Sequence, residues 1–241
     1  MLRDKKFVLN EKQISEIKKL DVPTIANCLE LVEGLRLWTE GFTKPEIKCC
    51  YPEFGTSVGY AVTVEIAAAN RGEKPIPRDE YWEYIMTIPE PRMIVVKDRD
   101  YPNIIGSFWG EVNGNIAKGL GAVGVVTDGG VRDINEVRKL GFQFLAKEIL
   151  VSHAYVHIEA LNTTVDICGM SVSPGDLIAS DQHGAIQIPI EVARILPKLA
   201  REMENYERPM IKAASTPNAT PDTLREAAKK QEQLRSNKST Y

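Results

Sequence analysis

GSFWGEVNGNIAKGLGAVGVVTDGGVRD, residues Gly106 to Asp133, decides the fold. A glycine-containing turn opens a helix, an apolar β-branched run of strand length follows, and a glycine pair delivers the dipeptide Arg132-Asp133. The next segment, INEVRKLG, reads as a helix closed by Gly141. Helix, strand and helix in such close order predict an α/β domain with crossover connections. Upstream, SVGYAVTVEIA (57–67) carries a strand signal, 70–79 reads as a loop, and EYWEYIMTI forms a short amphipathic helix capped by Asp79 and stopped by Pro89 and Pro91. MIVVKD is then a short strand. Downstream, FQFLAKEI and HAYVHIEALNTTVDI are strand-like, and SPGD turns the chain before LIASDQHGAIQIPI. A β-rich half thus follows an α/β half.

The flanks are helical. EKQISEIKK forms a first helix broken at Asp21-Val22-Pro23, and TIANCLELVEG a second with Thr24 as its cap and Gly34 at its end. Residues 35–57 read as irregular with short strands. EVARILPKLAREMENYE is an amphipathic helix with Pro197 as its kink, and a polar helix from Thr223 to Leu234 closes the chain. The expected organisation is one catalytic domain over 1–209 and a helical extension over 210–241 that packs on a neighbouring subunit.

With 241 residues, 43% hydrophobic and 26% charged, the chain is long enough to bury a generous core. A net charge of −3 without a basic stripe argues against a nucleic-acid partner. No run reaches the ~18–20 apolar residues of a membrane span, and MLRDKKFVLN lacks a leader's apolar segment, so no membrane partner and a cytoplasmic location are expected. Cys28, Cys49, Cys50 and Cys168 show no CxxC spacing and read as reduced structural thiols. His153 and His157 would share a strand face, with His183 far along the chain, a pattern that suits structural roles better than a metal site. Trp38, Tyr51, Trp82 and Tyr84 lack basic interleaving, and Gly119, Gly121 and Gly124 form no dinucleotide fingerprint.

The chemistry concentrates at two turns. Unpaired amides of Gly110 to Asn113 at a helix start suit a carboxylate, with Gly110 admitting close approach and Trp109 as a pocket wall. The same residues also suit an ordinary helix start. Arg132 and Asp133, at the carboxyl end of a strand, face the usual ligand crevice of an open α/β sheet. Arg132 offers a fork of donors to a carboxylate or keto oxygen, and Asp133 a hard oxygen for Mg²⁺ or Mn²⁺. Equally, Asp133 could cap the helix at Ile134 with Arg132 paired to it. If the turns meet, Glu111, Asp128 and Asp133 converge, and a metal there would support Lewis-acid catalysis on a 2-oxo acid.

The sequence resembles the RraA-like family, which includes class II 4-hydroxy-4-methyl-2-oxoglutarate aldolases with accompanying oxaloacetate decarboxylase activity. The resemblance runs from about Ser57 to Pro189 and rests on WGEV (109–112), GLGAVGVVTDGGVRD (119–133), LGF (140–142) and MSVSPGDLIASDQHGAIQIP (170–189). It implies a swivelling β/β/α domain with N- and C-terminal helices, assembled as trimers or hexamers with sites between subunits. It assigns the amides of Gly110, Glu111, Val112 and Asn113 to a substrate carboxylate, Arg132 to the keto oxygen and Asp133 to the metal, Mg²⁺ or Mn²⁺. Glu111 is implied to orient the water that moves a proton. Glu202, Glu204 or Glu207 of a neighbouring subunit is implied to approach the metal, with Glu204 the preferred choice.

By the same resemblance the chain is a metal-dependent lyase cleaving or decarboxylating a small anionic 2-oxo acid through a pyruvate enolate. Its rivals are a protein-binding regulator of a ribonuclease, whose relatives carry a non-acidic residue after the motif's Arg, and a related lyase on sugar-acid derivatives. Asp133 favours catalysis. Residues 70–91 and the tail after Pro209 are longer than in compact aldolases, and Asn27 stands where many relatives have Asp.

Overall fold

A computed structural model describes residues 8–35, 38–217 and 219–236. The start of the MLRDKKFVLN segment and the end of the predicted 210–241 extension lie outside the described residues. Helices α1 (Glu11–Ile17) and α2 (Val22–Glu30) come first. Asn10 and Gln13 form a reciprocal capping box on α1. Asp21, rather than Thr24, caps α2 by accepting the Thr24 amide at 2.8 Å. Pro23 in the first turn therefore starts this helix, where its missing N–H has no partner to lose.

Strand β1 (Lys48–Cys49) and a 3₁₀ turn at Pro52–Phe54 lead into an alternating run. That run is β2 (Ser57–Ala67), α3 (Arg78–Thr87), β3 (Arg92–Asp98), α4 (Glu111–Gly119), β4 (Ala122–Val131), α5 (Ile134–Leu140) and β5 (Gln143–Ile149). The β-rich half follows as β6 (His157–Leu161), β7 (Val165–Ile167), β8 (Met170–Val172), β9 (Leu177–Asp181) and β10 (Gly184–Ile188). Helices α6 (Ile190–Ala193), α7 (Leu196–Ala214) and α8 (Pro221–Ser236) end the chain. Three corrections to the sequence reading follow. Pro77, not Asp79, precedes α3, and no side chain caps it. His153 lies ahead of β6, so it shares no strand face with His157. Pro197 sits in the first turn of α7 instead of kinking a longer helix, because α6 ends at Ala193. Helix α7 carries through Pro209, and α8 supplies the expected helical extension, folding back on α7 with Ala227 buried and the Gln231 side-chain amide donating to the Tyr206 carbonyl at 3.1 Å.

One sheet runs in the order β1-β5-β4-β3-β2-β9-β10, with β6 also pairing β2. Strands β2 to β5 are parallel neighbours, and β9 and β10 join antiparallel. Both faces are covered, which is why β3 is a continuous apolar run rather than an alternating one. Ile94 and Val96 pack toward the helices, while Met93 and Val95 pack toward the hairpin β7–β8 with Val165, Ile167 and Met170. The sheet flanks are short. β1 pairs β5 over two residues, and along β10 the Thr43 amide donates to Ala185 at 2.9 Å while the Gln187 amide donates to Gly41 at 2.8 Å.

The parallel strands present their carboxyl ends together, and Asp98 closes β3 there without solvent contact. Its Oδ1 accepts the Asp100 amide at 2.9 Å, while Oδ2 has no partner among the described residues. Burial, with Asp100 and Asp128 nearby, raises its carboxyl from 3.8 to about 6. A raised carboxyl contributes stability that is fully present below the unfolded-state value and is lost as pH rises through about 6. Urea unfolding of the wild type and Asp98→Asn should therefore diverge between pH 4 and 7. The variant is expected to gain, relative to the wild type, on the order of 2 kcal/mol across that window.

Candidate functional site

The site is built where β4 leaves the sheet. Val131 forms an isolated parallel bridge with Trp109, and the Arg132 amide donates to the Trp109 carbonyl at 2.9 Å. The Ser107 hydroxyl lies 2.7 Å from that carbonyl and 2.8 Å from the Gly130 carbonyl, tying the two segments from within. This backbone pairing sets the first turn of α4 beside Arg132 and Asp133. Asp133 takes a left-handed conformation, φ 55° and ψ 43°, at the head of α5. That backbone is uncommon for a residue with a side chain.

Its carboxylate does not cap α5. Oδ2 reaches across to accept the Glu111 amide at 2.9 Å, the first residue of α4. The contact requires Gly110, because a Cβ there would lie 2.4 Å from the same oxygen. Of the four amides predicted to hold a carboxylate, that of Glu111 is thus committed to Asp133. Those of Val112 and Asn113 take no backbone acceptor among the described residues. The Asn113 side chain donates to the Phe108 carbonyl and steadies the turn.

These residues line a cleft of about 600 Å³. One wall comprises Ser107, Phe108, Gly110, Val112, Asn113, Arg132 and Asp133. The rest of the lining comes from Arg71, Gly72 and Pro75 before α3, from Arg78 at its first position, and from residues 153–157. Arg132 and Asp133 are each 36% exposed and only loosely paired, Nε to Oδ2 at 3.8 Å, so both remain available to a ligand. Asp133 Oδ1 takes no hydrogen bond among the described residues. The Glu111 side chain is exposed at the same turn.

Several predicted members lie elsewhere. Trp109 is buried in an aromatic cluster with Phe108, Phe142 and Phe144, so Phe108 forms the pocket wall in its place. Asp128 is fully buried, pairs with Lys97 and accepts the Asp98 amide at 2.8 Å. Burial raises its carboxyl, and it does not join Glu111 and Asp133. Within this chain Glu204 and Glu207 line a separate groove with Glu16 and Arg201, and Glu204 pairs with Arg208. His183 donates toward Asp181 at 3.1 Å, away from the cleft. No group of three or more His, Cys, Asp or Glu suited to a metal occurs among the described residues. Sequence reasoning missed Arg71, Arg78 and His153 as cleft residues, for which the unusual length of the 70–91 segment was the one available signal.

A family model described as RraA-like, Aldolase/RraA, matches residues 15–187. The chain belongs to the RraA-like family. An uncharacterized protein of Methanocaldococcus jannaschii is 33% identical over 103 residues, 42% of this chain and 50% of that one. A putative 4-hydroxy-4-methyl-2-oxoglutarate aldolase of Halalkalibacterium halodurans is 33% identical over 75 residues, 31% of this chain and 36% of that one. The aligned parts thus span half or less of these curated relatives. Among solved structures, an uncharacterized protein of Pseudomonas syringae superposes with a TM-score of 0.68 at 25% identity, covering 91% of this chain and 98% of that one. A Streptomyces coelicolor protein described as an unusual member of the RNase ES inhibitor RraA family gives 0.61 at 21%, covering 83% and 96%. The fold expected for an RraA-like chain is therefore the one observed. No helix among its described residues is long and apolar enough to cross a membrane.

The Asp133–Glu111 contact makes a thermodynamic cycle. Gly110→Ala should force the carboxylate off the amide, and Asp133→Ala removes the acceptor. Each is expected to cost about 1 kcal/mol in urea unfolding, with the double variant well short of the sum. Faster hydrogen exchange at the Glu111 amide in both singles would show the shared cause.

Proposed function

We propose that this chain is a divalent-metal-dependent lyase that cleaves or decarboxylates a small anionic 2-oxo acid through a pyruvate enolate. The observation that carries the reading is that Arg132 and Asp133 share one cleft with the Val112 and Asn113 amides, which have no backbone acceptor among the described residues. In this reading the two amides, at the positive end of α4, bind the substrate carboxylate. Gly110 gives that carboxylate access to the backbone. Arg132 donates to the keto oxygen and strengthens its hold as negative charge gathers there in the enolate.

The cleft residues fit a hard divalent ion. Asp133 keeps one oxygen without a hydrogen bond among the described residues, at a solvent-accessible position with room for the waters that Mg²⁺ retains. Mg²⁺ or Mn²⁺ held there supplies Lewis acidity at the keto oxygen. Decarboxylation of a β-keto acid releases CO₂ and leaves the bond's electron pair in the enolate. Retro-aldol cleavage instead passes the C4 hydroxyl proton to Glu111 through a solvent molecule as the C3–C4 bond breaks, so that C4 leaves as a carbonyl and the bond's electron pair enters the enolate. In both routes Glu111, working through a solvent molecule, returns a proton to the enolate carbon.

Self-association as a trimer or hexamer belongs to the same reading. Val112 and Tyr155 at the cleft, and Ile149 and Val151 around the end of β5, are exposed apolar side chains of the kind a second copy would cover. A neighbouring subunit's Glu202, Glu204 or Glu207 then has a route to the cleft. The free thiols of all four cysteines support a reducing, cytoplasmic setting. Asp133, an acid after the motif's Arg, favours catalysis over ribonuclease regulation.

Pyruvate release from oxaloacetate and from 4-hydroxy-2-oxo acids tests the assignment. Turnover is expected with Mg²⁺, is abolished by chelator, and falls at least 100-fold in Arg132→Ala without change in oligomeric size. Absence of metal-dependent turnover on every such compound rejects the lyase. For the assembly, Val151 is 96% exposed. Val151→Glu should therefore lower the mass measured by light scattering while leaving the far-ultraviolet circular dichroism unchanged; an unaltered mass excludes this surface.

A further inference from the structure

We propose that His157 is a protonation-sensitive pin for the side of the cleft formed by residues 153–157. As an imidazolium it ties that wall down, and on turning neutral it releases Tyr155. The pin stands on geometry, whatever reaction the cleft serves. The His157 side chain is 11% exposed, and both ring nitrogens meet acceptors. Nδ1 lies 2.8 Å from the Tyr155 carbonyl, and Nε2 lies 2.6 Å from Glu159 Oε1. A neutral imidazole has one N–H and serves one acceptor, so only the imidazolium donates to both at once. Glu159 is kept as an acceptor because its other oxygen takes the Arg99 guanidinium at 2.7 Å. Arg99 in turn donates to Glu65 of β2 at 2.8 Å. Two carboxylates thus face Arg99 and His157, and these four groups are neutral together only when His157 is charged.

Losing the proton has a direction. Imidazoles change charge between about pH 5 and 8, and the carboxylate is the stronger of the two acceptors, so the remaining hydrogen stays on Nε2. Nδ1 then turns a lone pair toward the Tyr155 carbonyl oxygen, and an attraction becomes a repulsion. The turn it pushes on is already costly, because Ala154 is left-handed at φ 46°. The turn is otherwise held by the Tyr155 amide, which donates to the Ala68 carbonyl at 3.2 Å, and by the Val156 amide, which donates to the His153 carbonyl at 3.0 Å. The loop before α3 leans on the same ring. A Cβ at Gly72 would stand 2.5 Å from His157 Nε2, and the Arg71 guanidinium lies 5.4 Å from the centre of the Tyr155 ring. The charged and titratable groups around the pin are therefore Glu159 from β6, Glu65 from β2, Arg99 after β3, Arg71 and Glu73 on either side of Gly72, and His153 in the turn.

Nuclear magnetic resonance of the full chain tests the pin, following ring nitrogens and backbone amides from about pH 5.5 to 8.5. At the acid end both His157 nitrogens should carry hydrogen, and at the alkaline end Nε2 alone. The Tyr155 and Val156 amides should follow the same midpoint and, corrected for intrinsic exchange, lose about fivefold or more of their protection across it. The Arg132 amide, bonded to Trp109 on the opposite side, should change less than about twofold. Glu159→Gln leaves a neutral acceptor at Nε2 and should lower the midpoint. His157→Gln, which leaves the buried Asp98 carboxyl in place, should abolish the pH response, whereas His153→Gln should retain it. A His157 ring with one hydrogen at the acid end, wall amides that ignore the ring's midpoint, or a response that survives His157→Gln overturns the pin. A response lost in His153→Gln does so too. Should a variant unfold, the wild-type ring and amide titrations decide alone. Turnover enters none of these readings, so a working pin without turnover rejects only the lyase, and turnover with an inert His157 rejects only the pin.

Discussion

The hydrogen bond from the Glu111 amide to Asp133 joins two elements that the chain makes separately. Asp133 ends the excursion from β4, whereas Glu111 begins α4, 22 residues earlier. The carboxylate sits at the positive end of the α4 dipole, an arrangement that typically contributes about 0.3–1 kcal/mol near a surface. Its larger effect is positional. Because one carboxylate oxygen is held, the other and the neighbouring Arg132 are presented from a fixed backbone. Beneath them, Trp109 pairs with Val131 on one side and stacks on Phe142 at 6.0 Å on the other, so the turn rests on the core.

The left-handed backbone of Asp133 belongs to the same arrangement. In a relaxed cap the side chain would turn toward the amides of α5. Here the unusual dihedrals turn it toward α4, and the strain is held by the packing around it. Ala154, on the far wall, is also left-handed, with φ 46°. Both walls therefore carry a non-glycine residue in a costly conformation, as expected where geometry serves binding more than stability.

Much of the fold was legible because local pattern and tertiary environment agree. SVGYAVTVEIA is strand from end to end, and the glycine after INEVRKL closes that helix. Errors arose where two local signals compete. Asp21 and Thr24 are both good caps, and the choice fell to Asp21 because Pro23 fits the first helical turn. Trp109 looked like a pocket wall because nothing in a sequence distinguishes a ring turned inward from one turned outward. Asp128 looked available because its partner Lys97 lies on another strand. The Arg132–Asp133 end of the cleft could be read from one continuous stretch, while its other end could not. Arg71 and Arg78, on either side of Ile76, reach it through the bridge of Ile76 to Ile158 of β6, a contact between segments about 80 residues apart.

The flanks of the sheet have a consequence for how copies can meet. On one side a two-residue strand blocks β5, and on the other the chain from Gly41 to Thr43 occupies the outer hydrogen-bonding groups of β10. A second molecule consequently finds little bare backbone on which to continue either flank, the route by which sheets propagate into fibres. Contacts between copies are steered instead to side chains on the faces and loop ends. Such surfaces can give a closed ring of defined size, whereas strand addition has no natural stopping point.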